Sequence, residues 1–437
     1  MFAASTAMIV TMPADIAFSF HQLPRVAQRH IRVFQVQQFL DRFAMGLTVA
    51  VVALALIDRD MDLFQISLLF GVYSVTTMAM ELPFGGLADA IGRKPVFLSA
   101  VVASLISLLI FLSSRDFYVL ALSFAFIGFG RALRSGTLDA WFVETFKVMA
   151  PNVDIQPALA KAQWANAMGL AFGAICGGLL PDAFGDIAVD HGFGVYDISY
   201  VASLIMMTVL LCFTLFAITE EPRPLNPKAL RQGFTSVPAV IKDAGLLALK
   251  HPTLSMLLLA LALVLMATNP VEVLWPTHVK SMLEADYANT TIGVLTAAYF
   301  FAIAFGAALS PRINRMFNRQ NAVSLCVAIA CLAALQIALA LQGDIVGFVG
   351  VFLVFSVVLG ATETPASSIL HACVENHQRS TLLSLRSLVQ QLGGAIGLIV
   401  VGGLAERHSL PLAWIGGACV LIIAAVFTGL LAKRLRR

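Results

Sequence analysis

Six ionisable residues stand inside long apolar stretches of this chain: Asp41, Arg42, Glu81, Arg131, Arg134 and Asp139. Three are acids and three are bases, so the set can be internally neutral. A carboxylate in an apolar cavity is pushed towards its protonated form by desolvation and held ionised by a nearby arginine. A movement that withdraws the arginine therefore loads a proton, and its return releases one. Arg131, Ser135 and Asp139 are spaced four apart, which predicts that they share one helix face. The alternative is that these charges are pairs that fix helix registry, as many intramembrane charges do. Asp41 is the first candidate for proton exchange. Further along, Glu363 and Arg386 sit at similar depth and are expected to pair as part of an inner gate.

The elements that must hold these residues follow from composition. Of 437 residues, 59% are hydrophobic and only 12% charged, against about 25% charged in soluble domains. A net charge of +3 gives no argument for nucleic acid as a partner. A bilayer core is crossed by about 20 apolar residues in a helix. Such runs occur at 33–57, 64–88, 95–113, 117–145, 161–182 and 196–218, then at 253–276, 290–310, 322–341, 345–370, 381–404 and 410–432. The fold class expected is an all-α integral membrane protein of about twelve transmembrane helices in two six-helix bundles. Continuous rather than alternating apolar runs exclude a β-barrel. Counting 1.5 Å per residue from the inner ends puts Asp41, Glu81, Arg134 and Asp139 at a depth of roughly 9–16 Å.

Of the 28 Lys and Arg, Arg59, Arg115, Lys280 and Arg407 fall on one side, and Arg42, Arg131, Arg134 and Arg386 fall within helices. All the others fall on the opposite side, which places both termini in the cytoplasm. Residues 1–32 are expected as a cytoplasmic extension and 33–218 as the first bundle. A polar linker over 219–252 and the second bundle over 253–437 follow. A shift of 226 residues lays Ile66–Pro95 over Ile292–Asn321, with Tyr73 on Tyr299 and Arg93 on Arg319. Two related halves of this kind mark transporters built from parallel repeats.

The turn after the second run reads Gly85-Gly86-Leu87-Ala88-Asp89-Ala90-Ile91-Gly92-Arg93-Lys94. It resembles the G-x-x-x-D-R/K-x-G-R-R/K signature of the major facilitator superfamily, with Ala90 where a basic residue is usual. Glu81-Leu82-Pro83-Phe84-Gly85 and Ser135-Gly136-Thr137-Leu138-Asp139-Ala140-Trp141 resemble a bacterial branch of that family. The resemblance implies an alternating-access secondary transporter rather than an enzyme. It also implies that Gly85, Asp89, Gly92, Arg93 and Lys94 form a cytoplasmic latch for the outward-open state. Gly169, Gly173, Gly177 and Gly178 are expected to let helices approach closely at a rocking interface.

The expected activity is proton-coupled export of a small, drug-like or lipophilic organic compound from the inner (cytoplasmic) membrane. The aromatic and thioether residues Phe43, Met45, Trp164 and Trp275 are the candidates for an apolar cavity wall. Import of a nutrient by proton symport is the alternative, and a non-transporting sensor the third reading. The partners are the substrate, protons and the lipid bilayer, with the chain a monomer. No cofactor is implied and no phosphate-binding loop occurs. The six cysteines show no paired spacing and are expected to pack as small apolar residues. The His371, Cys373, Glu375, His377 group is not expected to bind metal.

Overall fold

In the computed structural model, described over residues 23–84, 87–151, 153–220, 242, 245–246, 250–283, 287–373 and 379–435, every regular element is a helix. In chain order they are α1 (Arg25–Val49), α2 (Val52–Ile57), α3 (Leu63–Phe84), α4 (Leu87–Ile91), α5 (Arg93–Ser113), α6 (Phe117–Arg134), α7 (Thr137–Met149), α8 (Gln156–Asp190) and α9 (Asp197–Ala217). Then come α10 (Pro252–Lys280), α11 (Ala288–Met316), α12 (Asn321–Ala340), α13 (Ile345–Ala361), α14 (Glu363–Ala372), α15 (Arg379–Arg407) and α16 (Leu410–Leu435). Among the described residues, eleven spans are long and apolar enough to cross a bilayer. The pair α1–α2 supplies a twelfth crossing whose five charged residues lower its hydropathy.

Local chemistry sets many of the helix starts. Asp116 accepts from the backbone N–H groups of Tyr118 and Val119 at the head of α6, and Asp344 from Gly347 at the head of α13. Proline opens α8 and α10, where its missing N–H costs nothing.

Three expected single helices are interrupted. The first breaks at Ala50–Val51 and begins at Arg25, so residues 25–32 belong to it rather than to an extension. The fourth breaks at Ser135–Gly136, where Gly136 takes φ +68°, and the tenth at Thr362. The break after Arg134 also ends the expected face shared by Arg131, Ser135 and Asp139. A left-handed residue redirects the chain, so α6 and α7 do not continue one helical register. By contrast, α10 continues as one helix through Asn269-Pro270. Most of the 219–252 linker lies outside the described residues.

Two sets of six crossings result. In the first, α1 packs on α8 and α9, α3 and α5 pack on α6, and α5 packs on α9. In the second, α10 packs on α15 and α16, α12 on α16, and α11 on α13. The halves meet along α8 with α11 and α3 with α15, joined by α2 against α10. The face carrying the Lys and Arg excess is called inner from this point.

The glycines of α8 divide between two jobs. A Cβ added at Gly169, Gly173 or Gly177 would lie 2.4, 2.3 and 2.3 Å from the carbonyl oxygens of Phe39, Phe43 and Leu47 on α1. These three therefore pack within the first half and are not at the inter-half surface expected for them. Only Gly178, one residue and about 100° further round, meets the second half, at Asn289 and Gly293 of α11. Gly173→Ala is expected to destabilise the fold by roughly 1–3 kcal/mol, because backbone rather than a movable side chain blocks the methyl group. Thermal unfolding in detergent checks it, and an unchanged midpoint would show that α1 yields freely.

Candidate functional site

The site lies where α1 faces α6 and α7. Asp41, on the buried side of α1, faces Arg134 at the end of α6, with Nε 3.2 Å from Oδ1. The pair is held by charge, since the N–H is not aimed along that line. Arg134 also donates from Nη2 to Ser104 Oγ of α5 at 3.1 Å and lies 5.9 Å from the centre of the Phe97 ring. The Asp41 side chain is 6% exposed and that of Arg134 21%. An ion in such a place costs a few kcal/mol unless it is compensated.

Asp139 stands on the first turn of α7, just past the Gly136 break. It accepts from Gln38 Nε2 of α1 at 3.1 Å, and Gln38 Oε1 accepts in turn from Asn166 of α8 at 3.3 Å. Arg42 lies in the field of Asp41, Asp139, Arg131 and Arg134, and its guanidinium reaches Met45 Sδ at 3.7 Å. Five of the six expected charges therefore share one seam. The seam is also rich in apolar contact, with Phe39 and Phe43 stacked 5.8 Å apart on α1. An added Cβ at Gly136 would meet nothing, so this stretch of the seam borders open space.

Glu81 is the exception. It accepts from Ser387 Oγ and Gln391 Nε2, each at 3.0 Å, on α15 of the other half. Both of these partners are neutral and stand on α15, against which α3 packs. Two neighbouring residues of α15 thus serve different partners. Arg386 donates to Glu363 Oε1 of α14 at 2.5 Å and to Ser367 at 2.9 Å, as the expected pairing of Glu363 with Arg386 required. Ser387, one position on, turns to Glu81.

The basic turn is tied to α7, to the end of α9 and to Glu220 just beyond it. Arg93 Nη2 bonds Glu144 Oε1 of α7 at 2.9 Å. The backbone N–H groups of Arg93 and Lys94 donate to Glu220 at 2.9 and 2.7 Å, so a carboxylate caps the head of α5. Lys94 Nζ donates to the carbonyls of Leu215 and Ile218 at the end of α9. Gly92 precedes α5 with φ +100°, a conformation that favours glycine. Gly85, and the side chain of Asp89, lie outside the described residues.

Of the expected cavity residues, Trp275 is instead packed in the second half, 4.9 Å from Phe352, while Trp164 is 66% exposed. Among the described residues no group of His, Cys, Asp and Glu is placed to hold a metal ion. Glu375 and His377 lie outside them. The neutral partners Gln38, Asn166, Ser104, Ser387 and Gln391 were not anticipated. The only cue to them was a polar residue interrupting an apolar run. Glu272 lies within hydrogen-bonding reach of the buried Tyr299 hydroxyl.

Comparison with known proteins agrees with this architecture. The family model described as Major Facilitator Superfamily matches residues 35–286 and 273–437. The inner membrane transport protein YajR of Escherichia coli (strain K12) is 22% identical over 374 residues, 67% of this chain and 76% of that protein. The solved nucleoside transporter NupG superposes with a TM-score of 0.72 at 14% identity, over 92% of this chain and 98% of NupG. A bacterial homologue of the human lysosomal transporter Spinster, inward-facing and unoccupied, gives 0.71 at 15% identity over 94% of this chain and 97% of that one. Such identities between structures carry the fold alone. The family match covers nearly the whole chain, and the chain belongs to the major facilitator superfamily as a multi-pass membrane secondary transporter.

Proposed function

We propose that this transporter exports a small, drug-like or lipophilic organic compound in exchange for protons, from the inner (cytoplasmic) membrane with both termini in the cytoplasm. The observation that carries the reading is the seam of two carboxylates and three arginines between α1, α6 and α7, with Asp41 facing Arg134 at 3.2 Å. A shift of α1 against α6 within the first half, as it closes on or parts from the second, would change the spacing of Asp41 and Arg134. Each change alters the affinity of Asp41 for a proton. Substrate and proton then compete for the same seam, which is what obligatory exchange requires. Phe39, Phe43 and Met45 on the α1 side supply apolar area for an amphiphilic compound, and the charged seam supplies its orientation.

The test is accumulation of a panel of fluorescent lipophilic compounds in efflux-deficient cells that express the protein, with and without a protonophore. Lower accumulation that the protonophore abolishes is expected. Raised or unchanged accumulation across the panel would overturn export and favour proton symport into the cell, which the same seam could drive.

A further inference from the structure

The outer ends of the two halves are joined by carboxylates, and the two joints are related by the internal repeat. On α8, Asp182 crosses to the head of α11. Its Oδ2 accepts from the backbone N–H and the hydroxyl of Thr290, both at 2.7 Å, and its Oδ1 from Asn289 Nδ2 at 2.7 Å. On α15, Glu406 crosses to the head of α3, where Oε2 accepts from the backbone N–H of Leu63 at 3.2 Å. In each case a carboxylate from one half meets the first-turn N–H groups of a helix in the other half. Those groups have no partner in their own helix and carry the positive end of its dipole.

The relation between the joints is positional as well as chemical. Asp182 and Glu406 are 224 residues apart, and so are Gly178 and Gly402, one turn before each. Gly178 packs on Gly293 of α11 and Gly402 on Ser67 of α3. Ser67 and Gly293 are themselves 226 residues apart, the same shift that relates the two halves of the sequence. Each joint therefore has a small-residue crossing with a carboxylate cap one turn outward. The crossing brings the backbones close enough for a short acid side chain to reach the neighbouring helix head.

We infer that Asp182 and Glu406 are the outer-gate residues of the transport cycle: inter-half helix caps that hold the outer side closed and must break for the transporter to open outward. The two caps are unequal. Asp182 accepts three bonds, and its partner Asn289 is braced by Lys280 Nζ at 2.8 Å and the Tyr196 hydroxyl at 3.1 Å. Glu406 accepts from Leu63 N–H across the halves and is exposed, where a single charged contact contributes little. The inference needs only alternating access, and neither the direction of transport nor the coupling ion enters it.

The test uses the full chain in lipid nanodiscs, with the six native cysteines replaced and spin labels at Tyr118→Cys and Val346→Cys. These positions are 80% and 79% exposed at the outer ends of α6 and α13, in different halves. Distance distributions are read for the parent, Asp182→Ala, Glu406→Ala and the double variant. Alanine suits a helix, so the folding risk is small. Asp182→Ala is expected to raise the ratio of long to short distances roughly tenfold, given charge-assisted bonds partly replaced by water. Glu406→Ala should raise it about two- to threefold, and the double variant by about the product. Asp182→Asn keeps one acceptor and should fall between parent and Asp182→Ala. Asp186→Ala, exposed on the same helix, should leave the ratio unchanged. Distributions coinciding with the parent in Asp182→Ala and the double variant would overturn the inference, as would an equal shift in Asp186→Ala. Failure of the export reading would leave these distances untouched.

Discussion

Replacing Arg59 with leucine is expected to cost about 3–5 kcal/mol of folding stability, the range for breaking a buried pair from one side. The Arg59 and Asp197 side chains are 2% and 8% exposed, with Nη2 2.5 Å from Oδ1. The guanidinium also donates to the carbonyls of Ala55 and Phe111 and lies 4.1 Å over the Phe111 ring. That ring stacks on Tyr200 at 3.9 Å, so one side chain ties the first, third and sixth crossings together at their outer ends. Loss of Arg59 leaves Asp197 as an uncompensated buried charge, although Gly194 N–H still donates to it at 2.8 Å. Arg59→Leu combined with Asp197→Asn removes both charges and should recover most of the loss. A double-mutant cycle on thermal unfolding separates the two effects. A single-variant cost below about 1 kcal/mol would mean that water compensates Asp197 once Arg59 is gone.

Arg59 also shows where the sequence stops informing. In Asp58-Arg59-Asp60-Met61-Asp62 it looks like one charge in a solvated loop, and charge counting uses it only to set orientation. The fold turns it inward because α2 ends at Ile57 and Asp60 takes φ +62°, which folds the loop back over the bundle. What a bilayer imposes was legible: a crossing needs a fixed length of apolar residues, so the spans and their number could be counted. The repeat was legible too, and Ser67 and Gly293 occupy matching inter-half crossings, as the 226-residue shift requires. The interruption near 50 was not, because its residues are as apolar as the helices it divides; those at 135 and 362 carried a polar cue, Arg134-Ser135-Gly136 and Thr362-Glu363-Thr364-Pro365, that counting apolar runs passes over. Seam partners divided in the same way. Charges announce themselves inside an apolar run, so Asp41, Arg134, Glu363 and Arg386 could be named. Which helix face each one meets depends on crossing angles that no single helix encodes. Glu81 was therefore grouped with the arginines of its own half, while the packing of α3 on α15 takes it to Ser387 and Gln391.

That separation of the carboxylates yields the second large expectation. Asp41→Asn is expected to abolish uphill, proton-driven transport while leaving downhill exchange of substrate across the membrane. Asp41 is the seam carboxylate with a cationic partner that helix movement can withdraw, so it has the means to change proton affinity between states. Asparagine keeps the volume and removes the titration. Asp139 accepts from the neutral Gln38 and stands exposed at the head of α7, so Asp139→Asn should lower the rate severalfold and keep coupling. Glu81→Gln should keep coupling as well, because a glutamine oxygen can accept from Ser387 or Gln391, and its cost should appear in the rate of interconversion between states. Arg134→Leu tests the logic from the other side. Without the guanidinium no cation is withdrawn and returned during the cycle, and transport should lose its dependence on the pH gradient. Proteoliposomes with an imposed pH gradient measure uphill transport, and counterflow without a gradient measures exchange. Full uphill transport by Asp41→Asn, with loss in Asp139→Asn or Glu81→Gln instead, would move the proton to that carboxylate. The Asp41–Arg134 pair would then serve only to hold α1 against α6.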